Sequence, residues 1–226
     1  SVGVIKRSDM QLIKEIPTFF ARPHALATQP EGEWSYIASL AENQILKFNP
    51  ETEENKLTTY GGNSHVYVNF AISPDGKQMV VTGQVSGKLL VFDLKDSGAP
   101  VLSDSISVNA QPWHPVYSPD GNYVYFGNKG AHTVTVVDMN SGTIEKVIEG
   151  RGLAQPHGTA LSQDGRYLFV SNNNRKGTYK AQKASSDSSP PGTITVIDTK
   201  TFTIKKIIEV DAYPSGIGTR ANTVKK

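Results

Sequence analysis

Hydrophobic positions along the chain come in short bursts, each preceded by a polar, glycine-containing turn. The runs EWSYIAS (33–39), KQMVVTG (77–83), NYVYFGN (122–128) and RYLFVSN (166–172) follow the turns QPEG, SPDG, SPDG and SQDG, whose glycines are Gly32, Gly76, Gly121 and Gly165. These glycines are spaced 44, 45 and 44 residues apart. A second run follows each first one: QILKFN, KLLVFD, HTVTVVD and TITVID, closing at Asn49, Asp93, Asp138 and Asp198. A further turn and run come next, as in MNSGTIEKVIE (139–149) and TKTFTIKKIIEV (199–210).

The runs are rich in Val, Ile, Tyr and Phe and are punctuated by Gly, Asp, Asn and Pro, the composition of strands and tight turns. No stretch carries the spacing of a long amphipathic helix. With one more strand before each glycine turn, the unit is four antiparallel strands every 40–50 residues, which predicts an all-β chain built of β-propeller blades. Such blades bury their faces against one another, so a single blade is not expected to fold alone.

The motif P-x-x-x-x-x-S-P-D-G, with YVYFGN or LFVSN and then VTVVD or ITVID, resembles the YVTN-type, YncE-like β-propellers over nearly the whole chain. VVTG (80–83) and YIAS (36–39) depart from the consensus. The resemblance implies seven four-stranded blades and a periplasmic or extracellular location. For activity it implies a range from binding modules to lactonases and copper or haem enzymes.

One propeller domain over 1–226 is expected, with blades at 21–63, 64–108, 109–152 and 153–211, the last carrying an insertion at 172–191. Residues 1–20 align with the third and fourth strands of a blade, and 212–226 with an innermost strand. A propeller closes by joining its terminal strands in one blade, so this arrangement of four complete repeats and a partial closing blade predicts an N-terminal remainder before Ser1.

Composition narrows the chemistry. Lys plus Arg number 23 and Asp plus Glu 21, so a net charge of +2 gives no global pull toward nucleic acid, and no apolar run reaches membrane-spanning length. The absence of cysteine excludes disulfides, thiolate metal sites, iron–sulfur clusters and c-type haem.

The unusual residues gather at one end of the predicted blades, where the connections between blades and between second and third strands lie. First strands align on Pro23, Pro112, Pro156 and Pro214, with His24, Trp113, His157 and Ser215 directly after them and His114 one residue further. His65 and His132 map to the same end. Imidazoles converging from several blades make His24, His114 and His157 candidate ligands for copper or zinc without cysteine. Strand-start histidines also serve simply to satisfy backbone groups. Histidine is absent near Asn69 and Ser215, so any such ring is incomplete. Arg22 and Arg151 offer guanidinium groups to an anion.

The insertion carries Arg175, Lys176, Lys180 and Lys183 against Asp187, with Tyr179 among the cations. This basic loop is a candidate docking surface for an acidic partner; its Ser and Pro content equally fits a solvated loop. GIGTRA (216–221) lacks the following helix of a dinucleotide site. The repeated Asp93, Asp138 and Asp198 share one register and are expected to cap turns.

The leading expectation is a non-catalytic binding or scaffold module, without cofactor, presenting this end to a protein, peptide or small ligand. The alternative is an enzyme at the channel mouth, either copper-dependent, as in the nitrous oxide reductase propeller, or a lactonase-like hydrolase. A redox partner docking through the basic insertion is a third possibility.

Overall fold

The structure is a computed structural model that describes residues 1–94, 98–182 and 189–219; among these, every helix or strand element is a β-strand. β1 (Val2–Lys6) and β2 (Gln11–Ile16) pair antiparallel as a two-stranded sheet. Four sheets of four antiparallel strands follow, each in plain chain order. The first holds β3 (Pro23–Thr28), β4 (Ser35–Ser39), β5 (Gln44–Phe48) and β6 (Asn55–Thr59). The second holds β7 (Tyr67–Ile72), β8 (Gln78–Gly83), β9 (Lys88–Asp93) and β10 (Val101–Ser107). The third holds β11 (Val116–Tyr117), β12 (Tyr123–Asn128), β13 (Thr133–Asp138) and β14 (Thr143–Ile148). The fourth holds β15 (Pro156–Leu161), β16 (Tyr167–Asn172), β17 (Pro191–Asp198) and β18 (Thr203–Ala212). The opening strands β3, β7, β11 and β15 neighbour one another in turn, which makes each sheet a propeller blade with its first strand innermost. The end carrying the inter-blade connections is called the top.

Near-continuous apolar runs make sense because the middle strands are buried on both faces. Val80, Leu89 and Val91 pack with Tyr117, Val124 and Phe126 of the third blade. Their chain neighbours Met79, Val81, Leu90 and Phe92 point the other way, against Tyr36, Ala38 and Ile45 of the first. A third layer joins Tyr125, Val134 and Val136 to Leu161, Leu168 and Ile197, and Ile16 closes β2 onto Ile37, Leu46 and Phe48. Each fully buried side chain of this kind contributes about 1.5–3 kcal/mol, and all of it depends on a neighbouring blade.

Polar repeats hold the turns. Ser73, Ser118 and Ser162 donate their hydroxyls to Asp75, Asp120 and Asp164 at 2.6, 2.5 and 2.6 Å. At the next turn of the first, third and fourth blades, Asn49, Asp138 and Asp198 accept backbone N–H groups two and three residues on; the turn after Asp93 lies outside the described residues, and Asp93 accepts the Ser103 hydroxyl. The turn glycines have a second role. Gly165 and Gly121 sit on Pro119 and Pro74 of the preceding blade, and a Cβ on Gly165 would come 2.8 Å from Cδ of Pro119.

Two inner strands differ from expectation. In the third blade, only Val116–Tyr117 forms a strand, with an isolated bridge between Pro112 and Asn128 above it. Pro112 and Pro115 have no N–H to give the ladder, and between them the Trp113 N–H still reaches the Gly127 carbonyl of β12 at 2.8 Å. Residues 213–219 form no strand, because no neighbouring strand among the described residues offers them a ladder. They nonetheless track β15: Thr219 Oγ1 donates to the Leu161 carbonyl at 2.6 Å and Asn173 Nδ2 to that of Pro214 at 2.6 Å.

Candidate functional site

The top of each inner strand is built the same way. Pro23, Tyr67, Pro112 and Pro156 stand opposite Ser39, Gly83, Asn128 and Asn172. The residue before each (Arg22, Val66, Gln111, Gln155, and Tyr213 before Pro214) adopts a left-handed φ between 52° and 59°. Such a conformation costs a non-glycine residue on the order of 1–3 kcal/mol and persists where the surroundings impose it. Here the carbonyls of Arg22, Val66, Gln111 and Gln155 accept the N–H groups of Leu40, Gln84, Lys129 and Asn173. The ladder register then slips at His24, Val68 and His157, so these residues leave strand pairing.

His24 and His157 use this freedom identically. Nδ1 of His24 lies 2.6 Å from the Val68 carbonyl oxygen, and Nδ1 of His157 lies 2.7 Å from that of Ser215. A carbonyl only accepts, so Nδ1 carries the hydrogen, leaving the lone pair of a neutral ring on Nε2. Each ring ties its strand to the matching residue of the next one.

Trp113, His114 and His157 meet at the mouth. The Trp113 ring lies 4.1 Å from the His157 ring centre and 5.7 Å from that of His114, while the two imidazoles meet edge to face at 4.9 Å. The ammonium of Lys129 sits over Trp113, 4.2 Å from its centre, a cation–π contact. Burial, with His157, His24 and Lys129 nearby, pushes His114 down to about 4. Burial and Lys129 push His157 to about 4 as well, against the opposing pull of the Ser215 carbonyl. Burial and the Arg175 guanidinium lower Lys129. Among the described residues, the charged side chains bearing on these three groups are basic. The buried indole Nε1 of Trp113 has no acceptor among the described residues.

The other candidate positions separate from this cluster. Arg22 is exposed beside His24, while Arg151 stands at a different place on the top. His65 stacks on Tyr67 at 5.9 Å, within its own blade. His24, His114 and His157 do not form a copper or zinc ligand set: among the described residues no group of three or more His, Cys, Asp or Glu side chains is placed to hold a metal ion. The carbonyl ties fix the His24 and His157 rings, and His114 meets His157 edge to face.

In the insertion, Arg175 lies over the Tyr213 ring at 5.5 Å, and Lys176 and Lys180 are exposed. Tyr179 is not on the docking surface. It is 7% exposed, its backbone is clasped by the Asn174 side chain, and its hydroxyl donates to Glu209 at 2.9 Å, so it anchors the loop. Lys183 and Asp187 lie outside the described residues. Sequence reasoning missed Lys129 and the part His132 plays. The available signal was a lysine directly after Asn128, in the turn that borders Trp113.

No family model matches the chain. Hydrazine synthase subunit beta of Kuenenia stuttgartiensis is 32% identical over 221 residues, covering 76% of this chain and 56% of that protein. The uncharacterized protein YncE of Salmonella typhi is 26% identical over 147 residues, covering 64% of this chain and 37% of its own length. The solved structure of Kuenenia stuttgartiensis hydrazine synthase superposes with a TM-score of 0.71 at 17% identity, over 88% of this chain and 52% of the matched one. Together with the repeated blades, these place the fold. The chain is a β-propeller similar to the YncE-like YVTN proteins. It spans between 36% and 63% of the length of the curated relatives it matches.

Proposed function

We propose that this propeller is a non-catalytic binding module that docks an acidic segment of a partner protein at its channel mouth, outside the cytoplasm. The observation that carries the reading is the Trp113–Lys129 pair with Arg175 beside it. The Lys129 ammonium sits over the Trp113 ring with the Arg175 guanidinium near enough to lower it, and among the described residues the charged groups bearing on this place are basic. A carboxylate beside Lys129 and Arg175 gains charge-assisted hydrogen bonds. One relative is by name a subunit of an enzyme, which supports a role in assembly. The location rests on the family resemblance.

The enzymatic alternative is weaker. A general base works best near the operating pH, and imidazoles lowered to about 4 are poor bases at neutrality. The copper version lacks a three-ligand set among the described residues.

The test is titration with a hexaglutamate peptide, read by Trp113 fluorescence in a Trp34→Phe background. Binding that weakens as salt rises and drops about tenfold in Lys129→Ala is the expected result. No binding, or equal affinity in wild type and Lys129→Ala, overturns the reading.

A further inference from the structure

A second place on the top has the makings of a small-molecule pocket, independent of the mouth. Residues 174–180 of the insertion fold back over the connection between β14 and β15 and leave a cleft of about 460 Å³, lined by His132, Arg151, Leu153, Ala154, Tyr179 and Lys180 among others. This volume falls within the roughly 300–1,000 Å³ of ligand sites.

The cleft is built rather than incidental. Gly152 brings the floor close to the fourth blade: its carbonyl accepts the hydroxyls of Thr193 at 2.7 Å and Thr195 at 3.0 Å, and a Cβ there would meet Ile207 at 2.8 Å. Asn174 fixes the opposite wall by bonding both the N–H and the carbonyl of Tyr179. Arg151 lies over the Tyr179 ring, 5.1 Å from its centre, with Nη2 3.4 Å from the hydroxyl. That hydroxyl is already committed to Glu209, so Tyr179 offers the cleft chiefly its ring.

Donors dominate the lining. Nδ1 of His132 accepts the Gln155 N–H at 3.0 Å. An imidazolium has no lone pair to accept with, so the ring is neutral and Nε2 carries the hydrogen. Burial and Lys176 also favour this form. With the Arg151 guanidinium and the Lys180 ammonium, the cleft presents three donor groups, while no carboxylate side chain among the described residues lines it. Leu153 and Ala154, both buried, supply the apolar part.

We propose that this cleft binds a small organic anion, its acid group held by Arg151, Lys180 and Nε2 of His132, and its apolar body lying against Leu153, Ala154 and the Tyr179 ring. Arg151 gives the site its selectivity, because a guanidinium on an aromatic face is held in place to pair a carboxylate with two parallel hydrogen bonds. The neutral ring of His132 adds a directed donor without adding charge.

The experiment is isothermal titration with 2-naphthoate and with its uncharged counterpart 2-naphthylmethanol, on the wild-type chain and on Arg151→Ala, Lys180→Ala and Lys129→Ala. Melting curves accompany each variant; Arg151 and Lys180 are exposed, and Lys180→Ala keeps the test open if the first variant melts early. Naphthoate is expected to bind the wild type at least about tenfold more tightly than the alcohol, and to weaken about tenfold in Arg151→Ala and in Lys180→Ala. It is expected to bind Lys129→Ala as it binds the wild type. Equal binding of acid and alcohol, no binding of either, or loss in Lys129→Ala alone overturns the assignment. The Lys129 control separates this site from the mouth, so either reading can fail without the other.

Discussion

Nδ1 of His157 lies 2.7 Å from the carbonyl oxygen of Ser215, 58 residues further along the chain. His24 repeats the contact with Val68 across 44 residues. In both cases the histidine is first of all a tie from an inner strand to the segment beside it, β7 for His24 and the stretch 213–219 for His157. His157→Ala is expected to lower unfolding stability by about 1 kcal/mol through loss of this bond, with His157→Asn recovering part of it. The urea midpoint reads the difference, and an unchanged midpoint in the alanine variant shows that the tie contributes nothing.

The same environment makes stability depend on pH. His114 and His157 are lowered to about 4 in the folded chain, against 6.5 for the free side chain. Between those values the unfolded chain binds more protons, so stability is fully present above about 6.5 and falls as the pH drops toward 4. With both rings partly exposed, the pair is expected to contribute on the order of 2 kcal/mol to this loss. Melting temperatures from pH 7 to 4 should fall less steeply in a His114→Gln/His157→Gln variant than in the wild type.

Gly127 in β12 is a packing requirement. A Cβ there would come 2.5 Å from Cβ of Pro156 in the next blade. Gly127→Ala should therefore push β12 and β15 apart and cost about 1–3 kcal/mol, as overpacking does. Gly61 has nothing within 4 Å of its would-be Cβ, so Gly61→Ala serves as the control that leaves the melting temperature nearly unchanged.

Tyr179 holds the insertion down. Replacing it with alanine removes a buried ring and frees Glu209 and Arg151 from its hydroxyl. Trypsin cleavage after Arg175, Lys176 or Lys180 is expected to speed up about tenfold or more as the loop opens locally, with the blades themselves intact by circular dichroism. Tyr179→Phe, which keeps the ring, should lie between the two. Equal cleavage rates for wild type and Tyr179→Ala would show that the loop is held some other way.

By itself the sequence determined the blades: the 44- and 45-residue spacing, the alternating runs and the Ser–Pro–Asp–Gly turns all express contacts a few residues apart. The Asp138 and Asp198 caps were readable for the same reason, since each bonds groups two and three positions on. What lies about one blade away was not readable. The turn glycines resemble pure turn residues until Pro119 is found against Gly165. Tyr179 looks like part of an exposed basic loop until Asn174 and Glu209 draw it inward. His24 and His157 share a register, with His114 one residue on, that invites a metal, yet the register slip and the carbonyl ties decide where the nitrogens of His24 and His157 go. Lys129 joins Trp113, and His132 joins the Arg151 cleft, only because neighbouring connections are folded against each other at the top. Strand periodicity fixes which end of a blade a residue occupies; the direction and partners of its side chain depend on the next blade, and only the tertiary structure supplies that.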